Sequence, residues 1–112
     1  MVIYKYKLGT DGESVTIKGK IRKILKVDFQ PGEGVVCWCE VDDRCEEVSI
    51  KVVCVGTGWD PLPKEIDYMD YIGTAQDGLG YVWHYYATPF RNSYELNELG
   101  DIFGALFGAG VN

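Results

Sequence analysis

Two stretches in the middle of the chain alternate between apolar and polar residues, and that alternation restricts what the whole chain can become. Val35, Cys37, Cys39 and Val41 fall on one side of the first stretch; Val48, Ile50, Val52 and Cys54 fall on one side of the second. A period of two marks an extended strand with one buried face, because successive side chains point to opposite sides of a pleated backbone. Between Val35–Val41 and Glu47–Val55 lies Asp42-Asp43-Arg44-Cys45-Glu46, a polar connection of hairpin-loop length. The two strands are therefore expected to pair as a unit with a single buried side.

The flanking segments extend the same pattern. Val2, Tyr4, Tyr6 and Leu8 line one face of an opening strand whose other positions include Lys5 and Lys7. After the turn residues Gly9-Thr10-Asp11-Gly12, Ser14-Val15-Thr16-Ile17-Lys18 alternates again and is expected to pair back as a hairpin. In Ile21–Gln30 the second half reads as a half-buried strand and the first half as a single helical turn, closed by Pro31-Gly32-Glu33-Gly34. Gly56 to Pro63 is a loop dense in breakers, and Asp67-Tyr68-Met69-Asp70 fits either a loop or one turn. Tyr71–Gln76 and Gly80–Ala87 read as strands joined by the hairpin turn Asp77-Gly78-Leu79-Gly80.

About seven short strands at this spacing predict an all-β fold, a small antiparallel sandwich or barrel. With 112 residues and 46% hydrophobic content there is material for one core and not two. Residues 1–88 form the β-rich domain in this reading. Residues 89–112 differ in kind: Asn92-Ser93-Tyr94-Glu95 resembles a capping box, and Leu96, Leu99, Ile102, Phe103, Leu106 and Phe107 recur at helical spacing. A short C-terminal helix in a glycine-rich tail is predicted, its stripe a docking surface within the chain or between copies in a homo-oligomer.

Charge is unevenly distributed. Through Lys26 the chain carries seven cations against Asp11 and Glu13, a balance of +5, which leaves −11 for the rest of a chain whose net charge is −6. Direct nucleic-acid binding is disfavoured, since phosphate affinity comes from Lys and Arg displacing counterions. An acidic protein suits a basic protein surface instead, including one that holds nucleic acid. The chain has no apolar run of membrane-spanning length and no signal-peptide pattern in Met1–Lys7, so no membrane association and a cytoplasmic location are expected.

No catalytic constellation emerges. The cysteines at 37, 39, 45 and 54 lack the two-residue spacing of zinc knuckles, and strand parity turns Cys37, Cys39 and Cys54 inward, leaving Cys45 as the exposed one. His84 is the sole histidine, expected to satisfy its nitrogens with backbone or water. Gly56-Thr57-Gly58 follows a strand but precedes Asp60, Pro61 and Pro63, where a phosphate loop needs a helix. No metal, no cofactor and no enzymatic activity are expected. The dense aromatics Trp59, Tyr68, Tyr71, Tyr81, Trp83, Tyr85 and Tyr86 suggest a recognition surface, because aromatics fall on both faces of one strand.

Ile3-Tyr4-Lys5-Tyr6, Trp38 with Val41-Asp42, Val55-Gly56-Thr57-Gly58, Tyr71-Ile72-Gly73-Thr74-Ala75-Gln76 and Val82-Trp83-His84 resemble, in order, a family of small uncharacterised bacteriophage proteins, over about residues 2–87. The resemblance implies a setting and no activity. The acidic loop near 42–47 and the tail from 88 onward stand apart from it.

The sequence thus predicts a non-enzymatic phage accessory protein that binds a host protein, an inhibitor of antiviral defence of the anti-CRISPR kind. Its contact residues would be the acids Glu40, Asp42, Asp43, Glu46, Glu47, Asp60, Asp67 and Asp70 with the aromatics Trp59, Trp83 and Tyr86. The partner would be a nucleic-acid-binding defence effector, met in the host-cell cytoplasm. The alternatives are an oligomer that sequesters a nucleotide immune signal around Thr57, Trp59 and the tyrosines, and a minor virion or assembly component.

Overall fold

The computed structural model describes residues 1–10 and 12–90, in which seven strands and one 3-10 turn form two antiparallel sheets around a common core. The first sheet holds β1 (Val2–Lys7), β3 (Ile21–Gln30) and β4 (Gly34–Val41) in the order β1-β4-β3. The second holds β2 (Ser14–Gly19), β5 (Val48–Gly56), β6 (Asp70–Gln76) and β7 (Val82–Ala87) in the order β2-β5-β7-β6. The all-β expectation holds. Only β6 and β7 form the expected hairpin, closed by Gly80 N–H donating to the Asp77 carbonyl at 3.1 Å.

The two central strands do not pair with each other. β4 lies between β1 and β3, β5 between β2 and β7, and residues 42–47 cross from one sheet to the other. Both apolar stripes face the core, but they meet across it from opposite sheets: Val35, Cys37, Cys39 and Val41 against Ile50, Val52 and Cys54. Asp42 fixes the crossing. Its N–H donates to the Lys20 carbonyl at 3.0 Å, and its carboxylate accepts from the Arg44 N–H at 3.0 Å and from Arg44 Nη2 at 2.7 Å. The tight path tucks Cys45 inward at 3% exposure, correcting its expected place on the surface.

Two further expectations are corrected. Ser14–Lys18 does not fold back on the opening strand. Leu8 stays with β4, its N–H donating to the Val35 carbonyl at 2.9 Å, and the chain then changes sheets so that Val15 and Ile17 sit opposite Val52 and Ile50. The helical turn expected early in Ile21–Gln30 is strand. Its register against β4 slips between Ile21 and Lys23 and again between Ile24 and Lys26. Each bulge inserts an extra residue, which is why Ile21-Arg22-Lys23-Ile24-Leu25 fails to alternate.

The core is pinned from inside by Tyr85, fully buried, whose hydroxyl donates to the Gly9 carbonyl at 2.8 Å. Along one flank β3 packs closely on β6: a Cβ at Gly73 would lie 2.7 Å from Val27 Cβ, and one at Gly78 would meet Phe29. The other flank, where β1 and β2 end their sheets, is more open. The predicted C-terminal helix and the stripe from Leu96 to Phe107 lie outside the described residues. Among the described residues no helix is long and apolar enough to cross a membrane.

Candidate functional site

The outer face of the four-stranded sheet holds the densest group of polar and aromatic side chains. β5 ends at Gly56, the chain turns with Trp59 N–H donating to the Gly56 carbonyl at 3.3 Å, and residues 57–69 return across the outside of the sheet. Lys51 Nζ meets Glu65 Oε2 at 2.8 Å along the way, just inside the 3-10 turn Lys64–Tyr68. Val53 and Val55 point away from the core cluster and are buried all the same. Val55 shares a cleft with Leu62 of this connection.

Trp59 anchors the turn on a seat built by two glycines. A Cβ at Gly56 would fall 2.5 Å from its indole nitrogen, and one at Gly12 would fall 2.5 Å from its far ring edge. Trp83 meets it edge-on, with ring centroids 5.7 Å apart and planes at 88°. Trp59 is nonetheless 44% exposed, so one part of the indole holds the fold and another faces solvent. A cleft of about 290 Å³ opens on one side against Tyr81, Trp83 and Gly80. A second, of about 260 Å³, opens on the other side against Leu62, His84 and Tyr86.

A row of hydrogen bonds crosses the outer face of the sheet beside the Trp59 turn. Tyr71 OH and Thr74 Oγ1 are 2.5 Å apart, Thr74 Oγ1 lies 3.0 Å from His84 Nδ1, and Thr57 Oγ1 lies 2.7 Å from His84 Nε2. Thr57 Oγ1 also reaches the Val82 carbonyl at 3.4 Å. His84 therefore uses neighbouring hydroxyls where backbone or water was expected. Each hydroxyl can both give and take a proton, so the row is satisfied with the imidazole hydrogen on either nitrogen. In an acyl-transfer triad a carboxylate holds the histidine and stabilises the imidazolium. Here the orienting group is the neutral Thr74 hydroxyl, which stabilises an imidazolium less than a carboxylate would. Cys45 is no partner: it precedes β5, while His84 is registered with Val55 near its end.

The acids expected to form one contact surface fall into two groups. Glu40 is neutralised by Arg22 Nη1 at 2.8 Å. Asp42 is 3% exposed, and Arg44 holds its carboxyl well below the usual carboxylate range. Asp43, Glu46 and Glu47 are exposed in the crossing between β4 and β5. Asp60, Asp67 and Asp70 are exposed along 57–70 with Trp59, Leu62, Tyr68 and Tyr71. Trp83 is corrected from surface anchor to core residue: it is 6% exposed, and its indole N–H donates to Asp77 Oδ2 at 2.9 Å. Tyr86 is half-buried, edge-on to Tyr71 at 5.7 Å. The basic opening segment supplies Lys5 and Lys7 to β1 and Arg22, Lys23 and Lys26 to β3, both in the first sheet. Lys18 lies in β2 of the second sheet, so the early cations are divided between the two sheets.

Thr57 and His84 were singled out in the sequence, but their link through Thr74 to Tyr71 was not. Three of the segments that carry the family resemblance, 55–58, 71–76 and 82–84, are the ones that converge here. Among the described residues no three His, Cys, Asp or Glu side chains gather as metal ligands. No curated protein and no solved structure matches the chain significantly. A family model for a domain of unknown function, DUF7352, matches residues 1–95, which include every strand of both sheets. The chain belongs to the DUF7352 family.

Proposed function

We propose that this domain is a non-enzymatic binding protein that engages a basic protein surface through the connection 57–71 on its four-stranded sheet. The observation that carries this reading is the makeup of that ledge. Trp59, Leu62, Tyr68 and Tyr71 are exposed among Asp60, Asp67 and Asp70, and none of these three acids has an ion pair among the described residues. Aromatic anchors supply most of the energy of a protein contact, while surrounding charge guides approach and selects the partner. The same acids disfavour nucleic acid itself.

The resemblance to small phage proteins supplies the setting: a phage accessory protein acting on a host defence effector whose basic groove holds nucleic acid, a CRISPR nuclease complex being one such target. A pull-down from infected cells with mass-spectrometric identification would name the partner, and titration at low and high salt would test the contact. Reversing Asp60, Asp67 and Asp70 together to lysine should weaken binding by about a hundredfold at low salt. Unchanged affinity in that variant, or binding indifferent to salt, would remove the reading.

The clefts beside Trp59 favour a second reading, capture of a small aromatic ligand such as a nucleotide between Trp59 and the tyrosines, with Thr57 as the polar contact. Native mass spectrometry of freshly purified protein distinguishes the two: a retained small molecule supports capture, and a bare chain counts against it.

A further inference from the structure

We propose that the edge of β1 left unpaired among the described residues is a docking site for an extended acidic peptide segment of a partner protein, which adds to the first sheet as a fourth strand. A strand edge carries unpaired N–H and C=O groups, and proteins blunt such edges with bulges, charge or cover. The four edges here differ. β3 is interrupted by two bulges and β6 by one, and the two pack against each other. On β2 the core-side residues Val15 and Ile17 are half-buried and buried, and the positions between them are Ser14, Thr16 and Lys18. β1 is neither bulged nor covered among the described residues, and its charges, Lys5 and Lys7, stand on the outer side alone. Its register with β4 runs unbroken over six pairs, and it contains neither glycine nor proline.

Two details define the occupant. Tyr4 and Val2 point to the core side, opposite Cys39 and Val41, yet they are 55% and 50% exposed while those partners are buried. Among the described residues nothing completes the core beside β1, so an added strand must bring apolar residues to that side. On the other side stand Lys5 and Lys7, with no acid anywhere in the strand. Lys5 already takes a carboxylate from Glu33, and Lys7 makes no ion pair among the described residues. An incoming strand must bring acids there. Alternating acidic and apolar residues meet both demands, since strand side chains alternate in the same way. A second copy of β1 would match the apolar side but set lysines against lysines.

The geometry also says which backbone groups receive it. Leu8 N–H points to β4, so by the alternation of an antiparallel ladder the amides of Ile3, Lys5 and Lys7 point to the edge away from β4. The test uses the full chain with two capped hexapeptides, one alternating aspartate with valine and one alternating lysine with valine. Amide hydrogen exchange is read by NMR. The aspartate peptide should slow exchange at Ile3, Lys5 and Lys7 by about tenfold, and the lysine peptide should not. Ile3→Pro removes one edge donor and no bond to β4, so it should block the effect at unchanged melting temperature. Lys5→Glu with Lys7→Glu should reverse the peptide preference. Exchange unaffected by the aspartate peptide, slowed equally by both peptides, or slowed by raising the protein concentration alone would each overturn the proposal.

Discussion

The two flanks of this sandwich are finished in different ways. At the β3–β6 flank Gly73 lets the backbone of one sheet approach Val27 of the other, and Gly78 meets Phe29. At the β1–β2 flank the aromatic rings do the spanning: Tyr6 lies over Gly19, and Trp59 reaches Gly12 in the turn between the strands. Backbone approach leaves no room for a side chain and excludes water. Ring-over-glycine contacts cover only where a ring happens to lie, which is why Val2 and Tyr4 remain wet on their core side. The closed flank carries stability; the open flank carries available surface.

That contrast can be broken by substitution. The largest effect is expected at Gly73→Val, which forces a branched side chain into the space of Val27 and should cost about 2–3 kcal/mol in urea unfolding. Adding Val27→Ala should recover part of the loss, which a cause other than steric overlap would not allow. Gly56→Ala pushes a methyl into the Trp59 indole and should cost about 1–2 kcal/mol, with a change in tryptophan fluorescence that reports displacement of the ring. A normal spectrum and full stability would mean that the seat is not needed.

A smaller, pH-dependent effect belongs to Asp77 in the β6–β7 turn. The Trp83 indole N–H holds its carboxyl below the usual range, burial opposes this, and the amides of Leu79 and Tyr81 add to it. A depressed carboxyl stabilises the fold above its unfolded value of about 4, and that stabilisation disappears as pH falls through the folded value. Asp77→Asn should therefore reduce stability at neutral pH and flatten its decline in acid, as seen in urea midpoints across the acid range. The smallest effect is expected on the open flank: Tyr4→Thr should change stability by less than about 0.5 kcal/mol. A loss as large as that at Gly73 would mean the open flank is no less supportive than the closed one.

Strand positions and facing were legible because period-two alternation is local. Val35 to Val41 and Val48 to Cys54 announce their buried sides without knowledge of partners. Pairing was not legible, because two apolar stripes joined by a short polar link fit a hairpin and a sheet-to-sheet crossing equally well. At the crossing Asp42 turns the chain through a local bond to the Arg44 N–H, but its N–H bond to the Lys20 carbonyl needs the fold already formed. The bulges of β3 hid in the same way, since an extra residue in a strand imitates a helical turn. At the candidate site the chemistry of Thr57 and His84 was visible as residue types. Their joining to Thr74 and Tyr71 depends on β6 lying beside β7, which only tertiary pairing supplies.

The cysteines have a consequence of their own. Cys37 and Cys39 stand with sulfurs 3.9 Å apart beneath the sheet, fully buried, and Cys54 faces the core from the opposite sheet. A thiol-reactive dye cannot reach any of them in the closed molecule, so labelling proceeds only as often as the two layers part. The chain thus carries an internal clock for its own breathing, and Cys39 ticks directly across from Tyr4, at the seam where the wrapping is thinnest.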